Sequence, residues 1–261
     1  MTVDLKRLIL DTAKNAIETE SAFFLHSCKP AFDLIDKGVT FKIKEWNDKL
    51  RKFIDQIKND KSDPLRPPFD KNLFITKLPG NNLIVNKFMN EIGHVLFASE
   101  DNDASQTIPM TLQDFEALLM VFDAFGDGIG YYNCGPQSGN SQNHKHFQFQ
   151  PITVYPLFTM MTEHKELPFE YRVEEITQWD PQSIFDLYTN LTQNLPTDSY
   201  NFIMNRKFAI IVPRTQGTHP KKIVLNAISL CGILAFGDIT DPFIKENPLQ
   251  ILTEACVATK H

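Results

Sequence analysis

The stretch NCGPQSGNSQNHKHFQFQP, residues 133–151, sets two histidines and two glutamines on alternate positions behind a loop of glycine, serine and amides. In a strand, successive side chains face opposite sides. His144, His146, Gln148 and Gln150 therefore share one face, and Lys145, Phe147 and Phe149 share the other. A helix would put His144 and His146 nearly opposite each other. The strand reading predicts a polar row held rigid by an aromatic face buried in a core. Upstream, Gly135, Gly139 and the run Asn140-Ser141-Gln142 predict a tight turn that accepts an anion, because small residues let phosphate oxygens approach the backbone N–H groups.

An anion beside two imidazoles suggests nucleophilic chemistry at phosphorus. An imidazole with its ordinary pKa of about 6.5 is mostly neutral at pH 7 and attacks as the free base. The attacking nitrogen must be bare, so the other ring nitrogen needs an acceptor, which a backbone carbonyl of the glycine-rich loop can supply. Two other readings of the same residues stay open. A His-x-His strand can bind zinc, with His94 or Cys134 as third ligand, or the row can fill ordinary hydrogen-bonding positions. Ser138 and Ser141 lack the elbow of a serine hydrolase, and the loop lacks the Gly-Lys-Ser/Thr of a Walker A motif.

Outward from the motif, residues 111–125 predict a helix, with Thr111 and Asp114 at capping-box spacing and Leu112, Phe115, Leu118, Leu119 and Phe122 on one face. Residues 3–24 predict an amphipathic helix, and the Pro-rich run 61–72 a connector. Short strands are expected at Leu73–Thr76, Leu83–Val85 and 94–99. Beyond Pro151, a Pro- and Met-rich run to about 168 predicts an irregular crossing segment. A helix is expected at 180–195 and a strand pair at 199–214. Residues 223–236, apolar almost all round, predict a buried helix, with a shorter one at 248–257. Strands and helices mix without a βαβ repeat, so the expected fold is α+β, an antiparallel sheet flanked by helices. Residues 1–63 are read as a helical arm and connector, and 64–261 as the core.

With 261 residues, 42% of them hydrophobic, the chain can bury a sizeable core. A formal charge of −6 argues against nucleic acid and acidic membranes, so any polyanion must be met by a few local cations. Cys28, Cys134, Cys231 and Cys256 lie far apart with no Cys-x-x-Cys, which fits reduced thiols in a cytosol. No secretory signal is read, and no run approaches the ~20 apolar residues of a membrane span. A soluble protein of the cytoplasm, or also of the nucleus, is expected.

Gly139-Asn140-Ser141 followed by His144-Lys145-His146-Phe147-Gln148, with Asn133 six residues before Gly139, resembles the histidine-triad superfamily and, within it, the diadenosine tetraphosphate phosphorylases, or ATP adenylyltransferases. The resemblance covers roughly residues 64–256. It includes LIVNKFMNEIGHVLFAS at 83–99, FAIIVPR and LNAISLCGILAF within 208–236, and NPLQIL at 247–252. The chain departs from the pattern at Arg206, Phe208 and Ser229, where lysine, tryptophan and glycine are common, and the first 60 residues match only loosely.

The resemblance implies a histidine-triad-like sheet and assigns roles. His146 would attack the α-phosphorus of a dinucleoside polyphosphate, giving a nucleotidyl-histidine; ATP leaves, and inorganic phosphate then releases ADP. Gln148 would hydrogen-bond a phosphate oxygen and His144 would support the strand. Asn133, Gly139, Asn140, Ser141 and Gln142 would bind the transferred phosphate. Lys87 would neutralise polyphosphate charge, His94 would line the site, and Arg206 would reach distal phosphates, as Lys207, Arg214, Lys221 or Lys222 could. No resident cofactor is required, though magnesium is a plausible companion of the polyphosphate. Gln148 also bears on reaction type. A third histidine there could pass a proton to a leaving group, whereas an amide only donates and accepts hydrogen bonds, which favours transfer to an anion over hydrolysis. A hexose-1-phosphate nucleotidyltransferase or sugar-nucleotide phosphorylase would share this chemistry, and a nucleotide sensor could share the pocket.

Overall fold

The computed structural model describes residues 4–25, 32–46, 63–220, 223–236 and 242–259. Cys28, Lys221 and Lys222 lie outside the described residues. One antiparallel sheet of eight strands organises the molecule. Its order is Arg172–Glu175, Phe208–Pro213, Tyr200–Met204, Ile129–Cys134, His146–Gln150, Val95–Ser99, Asn81–Val85 and Phe74–Leu78. The motif strand His146–Gln150 therefore sits inside the sheet, between Ile129–Cys134 and Val95–Ser99.

Alternation along that strand sets both faces of the sheet. Phe147 and Phe149 point into the larger core with Phe97, Phe115, Phe122 and Phe202. Phe147 stacks on Phe97 with ring centroids 4.3 Å apart, and Phe149 meets Phe122 edge-on. Burying each ring contributes roughly 1.5–3 kcal/mol, enough to fix which face the strand turns inward. The helices Leu5–Glu18, Leu112–Phe125 and Pro181–Thr192 close this aromatic side. Leu112–Phe125 starts with the expected capping box, Thr111 with Asp114.

The opposite, polar face has two separate covers. Tyr131, Ile203, Ile210 and Val212 pack under the helix Pro156–Thr162, the strand Val39–Glu45 and the C-terminal segment. At the other end, Leu65, Phe69 and Phe74 lie over Ile84, Leu96 and Ala98. His146 and Gln148 occupy the part of the face between these two apolar patches.

Two expectations are corrected. Residues 223–236 are a short strand (Ile223–Val224), a single helical turn (Ala227–Leu230) and a second strand (Ile233–Phe236) that pairs in parallel with Val39–Glu45. A strand buried on both faces is as uniformly apolar as a buried helix, so composition alone does not separate them. Within the 151–168 stretch, Pro156–Thr162 is a helix rather than irregular chain. Proline at the first helical turn starts a helix, because the N–H it lacks would have no partner there. No described helix is long and apolar enough to cross a membrane.

Candidate active site

His146 is held on both sides of its backbone. Its N–H donates to Gln106 Oε1 at 2.7 Å, and Gln106 Nε2 donates in turn to the carbonyls of His146 (2.8 Å) and Asn133 (2.9 Å). Its ring is fixed by the nearest carbonyl available: Nδ1 lies 2.8 Å from the carbonyl oxygen of His144. A carbonyl can only accept, so Nδ1 carries the hydrogen and Nε2 keeps a bare lone pair. The acceptor is thus the motif's own backbone two residues back, not the glycine-rich loop. Burial pushes the His146 pKa down to about 4, against the opposing hydrogen bond to His144. The imidazole is neutral at pH 7 and its free nitrogen is a nucleophile without further activation.

His144 precedes the strand, bridged to Ser105. Its Nε2 donates to the Ser99 carbonyl at 3.0 Å, and Nδ1 stands 3.5 Å from the Asp63 carboxylate. Its one ring hydrogen bond, from Nε2, ties it to the neighbouring strand, which fits a part in holding the strand. The buried Nδ1 has no hydrogen-bond partner among the described residues. Lys145 points to the other side, where its ammonium meets Asp114 at 2.6 Å with both side chains buried. Asp114 also accepts from Thr111 N–H (2.7 Å) and Asn81 Nδ2 (3.0 Å). The residue between the two histidines is therefore anchored to the capped start of the Leu112–Phe125 helix.

Gln148 Oε1 accepts from Tyr131 Oη at 2.8 Å and lies 2.9 Å from His94 Nε2. Asn90 N–H approaches His94 Nδ1 at 3.3 Å, so Nδ1 accepts and Nε2 carries the hydrogen toward Gln148. Burial lowers the His94 pKa to about 4, keeping that ring neutral, and Gln150 Nε2 completes the network by donating to Tyr131 Oη at 2.6 Å. With its oxygen committed to two donors, the half-buried Gln148 amide has its N–H₂ left as the group it can offer to an anion.

The loop divides its labour differently from expectation. Gly139 adopts φ +79°, and a Cβ there would come within 2.0 Å of the Leu225 carbonyl. Glycine is needed at this position for the C-terminal segment to pack against the loop. Asn140 Nδ2 braces the loop through the Gly135 carbonyl at 2.7 Å. Asn133 Oδ1 accepts from Asn201 Nδ2 (2.8 Å) and Ala227 N–H (3.0 Å), tying two strands to the Ala227–Leu230 turn. Among the described residues, the backbone N–H groups of Ser141 and Gln142 donate to nothing else in the chain, which leaves them available to an anion. Lys87 is half-buried and follows Asn86, whose side chain approaches the His94 ring.

Arg206 is not brought to this cluster. It pairs with Asp123 at 2.6 Å, donates to the Phe122 carbonyl and lies over Trp179, all on the aromatic side of the sheet. Arg214 is buried and spent on the protein, donating to the carbonyls of Ala255, Gln216 and Leu225 and to Asn201 Oδ1. Lys207 is exposed at the turn that also carries Arg206. Among the described residues, no three His, Cys, Asp or Glu side chains are gathered as a metal site would need. Gln106, Tyr131 and Asp63 join the site without any cue in the sequence. Gln106 sits in a polar run that reads as plain loop.

Two buried imidazoles held neutral make stability pH-dependent. Their folded pKa values lie below 6.5, so between about pH 4 and 6.5 the unfolded chain binds more protons and folding weakens as pH falls. From pH 6.5 to 5 the loss should be on the order of 3 kcal/mol at about 1.4 kcal/mol per pH unit for each group. Urea unfolding across that range measures it. An unchanged midpoint would mean the rings are charged or exposed.

Comparison with known proteins places the chain in a family. Residues 2–174 match the Ap4A phosphorylase N-terminal domain, and residues 165–258 match the ATP adenylyltransferase C-terminal domain. Diadenosine 5',5'''-P1,P4-tetraphosphate phosphorylase 2 of Saccharomyces cerevisiae is 26% identical over 225 residues, covering 67% of this chain and 69% of that protein. The crystal structure of yeast Ap4A phosphorylase Apa2 superposes with a TM-score of 0.79 at 19% identity, covering 98% of both chains. The same enzyme in complex with Ap4A gives 0.77 at 21% identity, again over 98% of both chains. With matched domains covering nearly its whole length, the chain belongs to the Ap4A phosphorylase family, a group of ATP adenylyltransferase-type nucleotidyltransferases.

Proposed function

We propose that the chain cleaves diadenosine tetraphosphate with inorganic phosphate, giving ATP and ADP, through an adenylyl group carried on His146. The observation that carries this reading is the His146 ring, with Nδ1–H on its own backbone carbonyl and Nε2 bare. The Nε2 lone pair attacks the α-phosphorus and forms an N–P bond as the bond from that phosphorus to the bridging oxygen breaks. ATP leaves with the bridging oxygen. An oxygen of inorganic phosphate then attacks the same phosphorus, the N–P bond breaks, ADP departs and the lone pair returns to Nε2. Neither step requires proton delivery by position 148. The Gln148 N–H₂ and the free backbone N–H groups of Ser141 and Gln142 supply donors for charge on the phosphoryl oxygens. Lys87 is the cation assigned to the polyphosphate, and magnesium travels with the substrate.

Product analysis tests the reaction. Wild-type protein with diadenosine tetraphosphate should yield ATP and ADP in equal amounts only when phosphate is present. Two ADP, or AMP and ATP irrespective of phosphate, would identify a hydrolase and reject the proposal.

A further inference from the structure

The strands Ile129–Cys134 and His146–Gln150 separate at the nucleophile. Their register runs from Ile129 with Gln150 to Tyr132 with Phe147 and stops one rung short of Asn133 with His146. Each of those two residues is still paired on its far side, Asn133 with Asn201 and His146 with Ala98. The Gln106 side chain, from a residue only 1% exposed, fills the fork. Its Oε1 accepts from the His146 N–H at 2.7 Å, and its Nε2 donates to the carbonyls of His146 at 2.8 Å and Asn133 at 2.9 Å. A primary amide offers the same donor and acceptor as a peptide group, so it stands in for the missing rung on both strands. Direct pairing would draw the two backbones to the usual spacing of ~4.8 Å. An amide wedged between them holds them wider apart.

The main chain of the same residue holds the feet of the glycine-rich loop. Gln106 N–H donates to the Asn143 carbonyl at 2.7 Å, and the Gln106 carbonyl accepts from Gly135 N–H at 3.0 Å. Its neighbours extend the grip, with Ser105 bridged to His144 and the Ala104 carbonyl accepting from Lys145 N–H at 2.8 Å. One residue thus ties both strand ends and both ends of the loop. The loop's free N–H groups and the His146 imidazole stand on opposite arms of this fork. The ring is bound through Nδ1 to the His144 carbonyl, so its position follows the backbone that Gln106 fixes.

Resting on the adenylyl-histidine reading above, we propose that Gln106 is a positioning residue for the transfer. It sets the width of the fork at which Nε2 of His146 and the loop donors meet one phosphoryl group. Side-chain bulk alone does not explain its place, because an apolar side chain of the same length would leave the His146 N–H and two carbonyls buried without partners.

Single-turnover kinetics separate this role from plain stabilisation. Excess protein is mixed with diadenosine tetraphosphate without phosphate and quenched at set times, and intact mass gives the rate constant and amplitude of adduct formation. A residue that only stabilises the fold changes how much protein is competent, and so the amplitude, but not the rate constant. Gln106→Met keeps length and loses every side-chain hydrogen bond. Gln106→Glu keeps the acceptor for the His146 N–H and loses both donors, and it serves if the methionine variant does not fold. In each the rate constant should fall about 100-fold, the penalty for a reacting group misplaced by about 1 Å. A wild-type rate constant in either folded variant, whatever the amplitude, would overturn the role of Gln106 and leave the reaction standing. Wild-type protein that forms no adduct would overturn the adenylyl-histidine reading and this role with it.

Discussion

His146→Ala should lose phosphorolysis by on the order of 10⁴-fold in kcat, because removing a nucleophile removes a covalent route and not merely a contact. The structure gives a reason to expect a clean result. The backbone at 146 is held by Gln106 and by the sheet, neither of which uses the imidazole. The ring's one hydrogen bond, to the His144 carbonyl, is lost with it. The variant should therefore fold and bind nucleotide while failing to turn it over. Stopped assays at saturating substrate measure the effect. Retention of more than about one percent of wild-type kcat would assign the chemistry elsewhere.

Lys145→Ala should be the most damaging single change to stability near the site. Its ammonium and the Asp114 carboxylate are both buried, 2.6 Å apart. Deleting one member leaves the other charge without its partner in a poorly solvated place, at about 3–5 kcal/mol. For a chain of this size that corresponds to roughly a 10 °C fall in Tm. Asp114→Asn should cost a similar amount for the converse reason, and the two losses should not add, since the pair is broken once. Thermal unfolding of the two single variants and the double variant measures the coupling. A loss under about 1 kcal/mol in each would mean the pair behaves like an exposed one.

What could be read in the sequence was what repeats locally. Alternation at 144–150 assigned Phe147 and Phe149 to the core and Gln148 to the opposite face, and the structure places them so. Thr111 and Asp114 fixed the start of the central helix from three residues of spacing. The misreadings share a cause. Residues 223–236 form strand, turn and strand because Val39–Glu45 is there to pair with, and no local pattern announces a partner almost 200 positions away. Gln106 grips His146 across 40 residues, and Asp63 meets His144 across a different loop. Arg206 is a cation near the motif strands in sequence pattern only. The β-turn that carries it opens toward Asp123, on the face the alternation reserves for aromatics.

The chemistry depends most on an adenylyl group resting on one nitrogen between two half-reactions. Incubating wild-type protein with diadenosine tetraphosphate in the absence of phosphate, followed by intact mass measurement and peptide mapping under alkaline conditions, tests this directly. The predicted result is a gain of one adenylyl group located on His146 that is discharged as ADP when phosphate is added. Substrate turnover with phosphate but no adduct, or an adduct on any other residue, would contradict it.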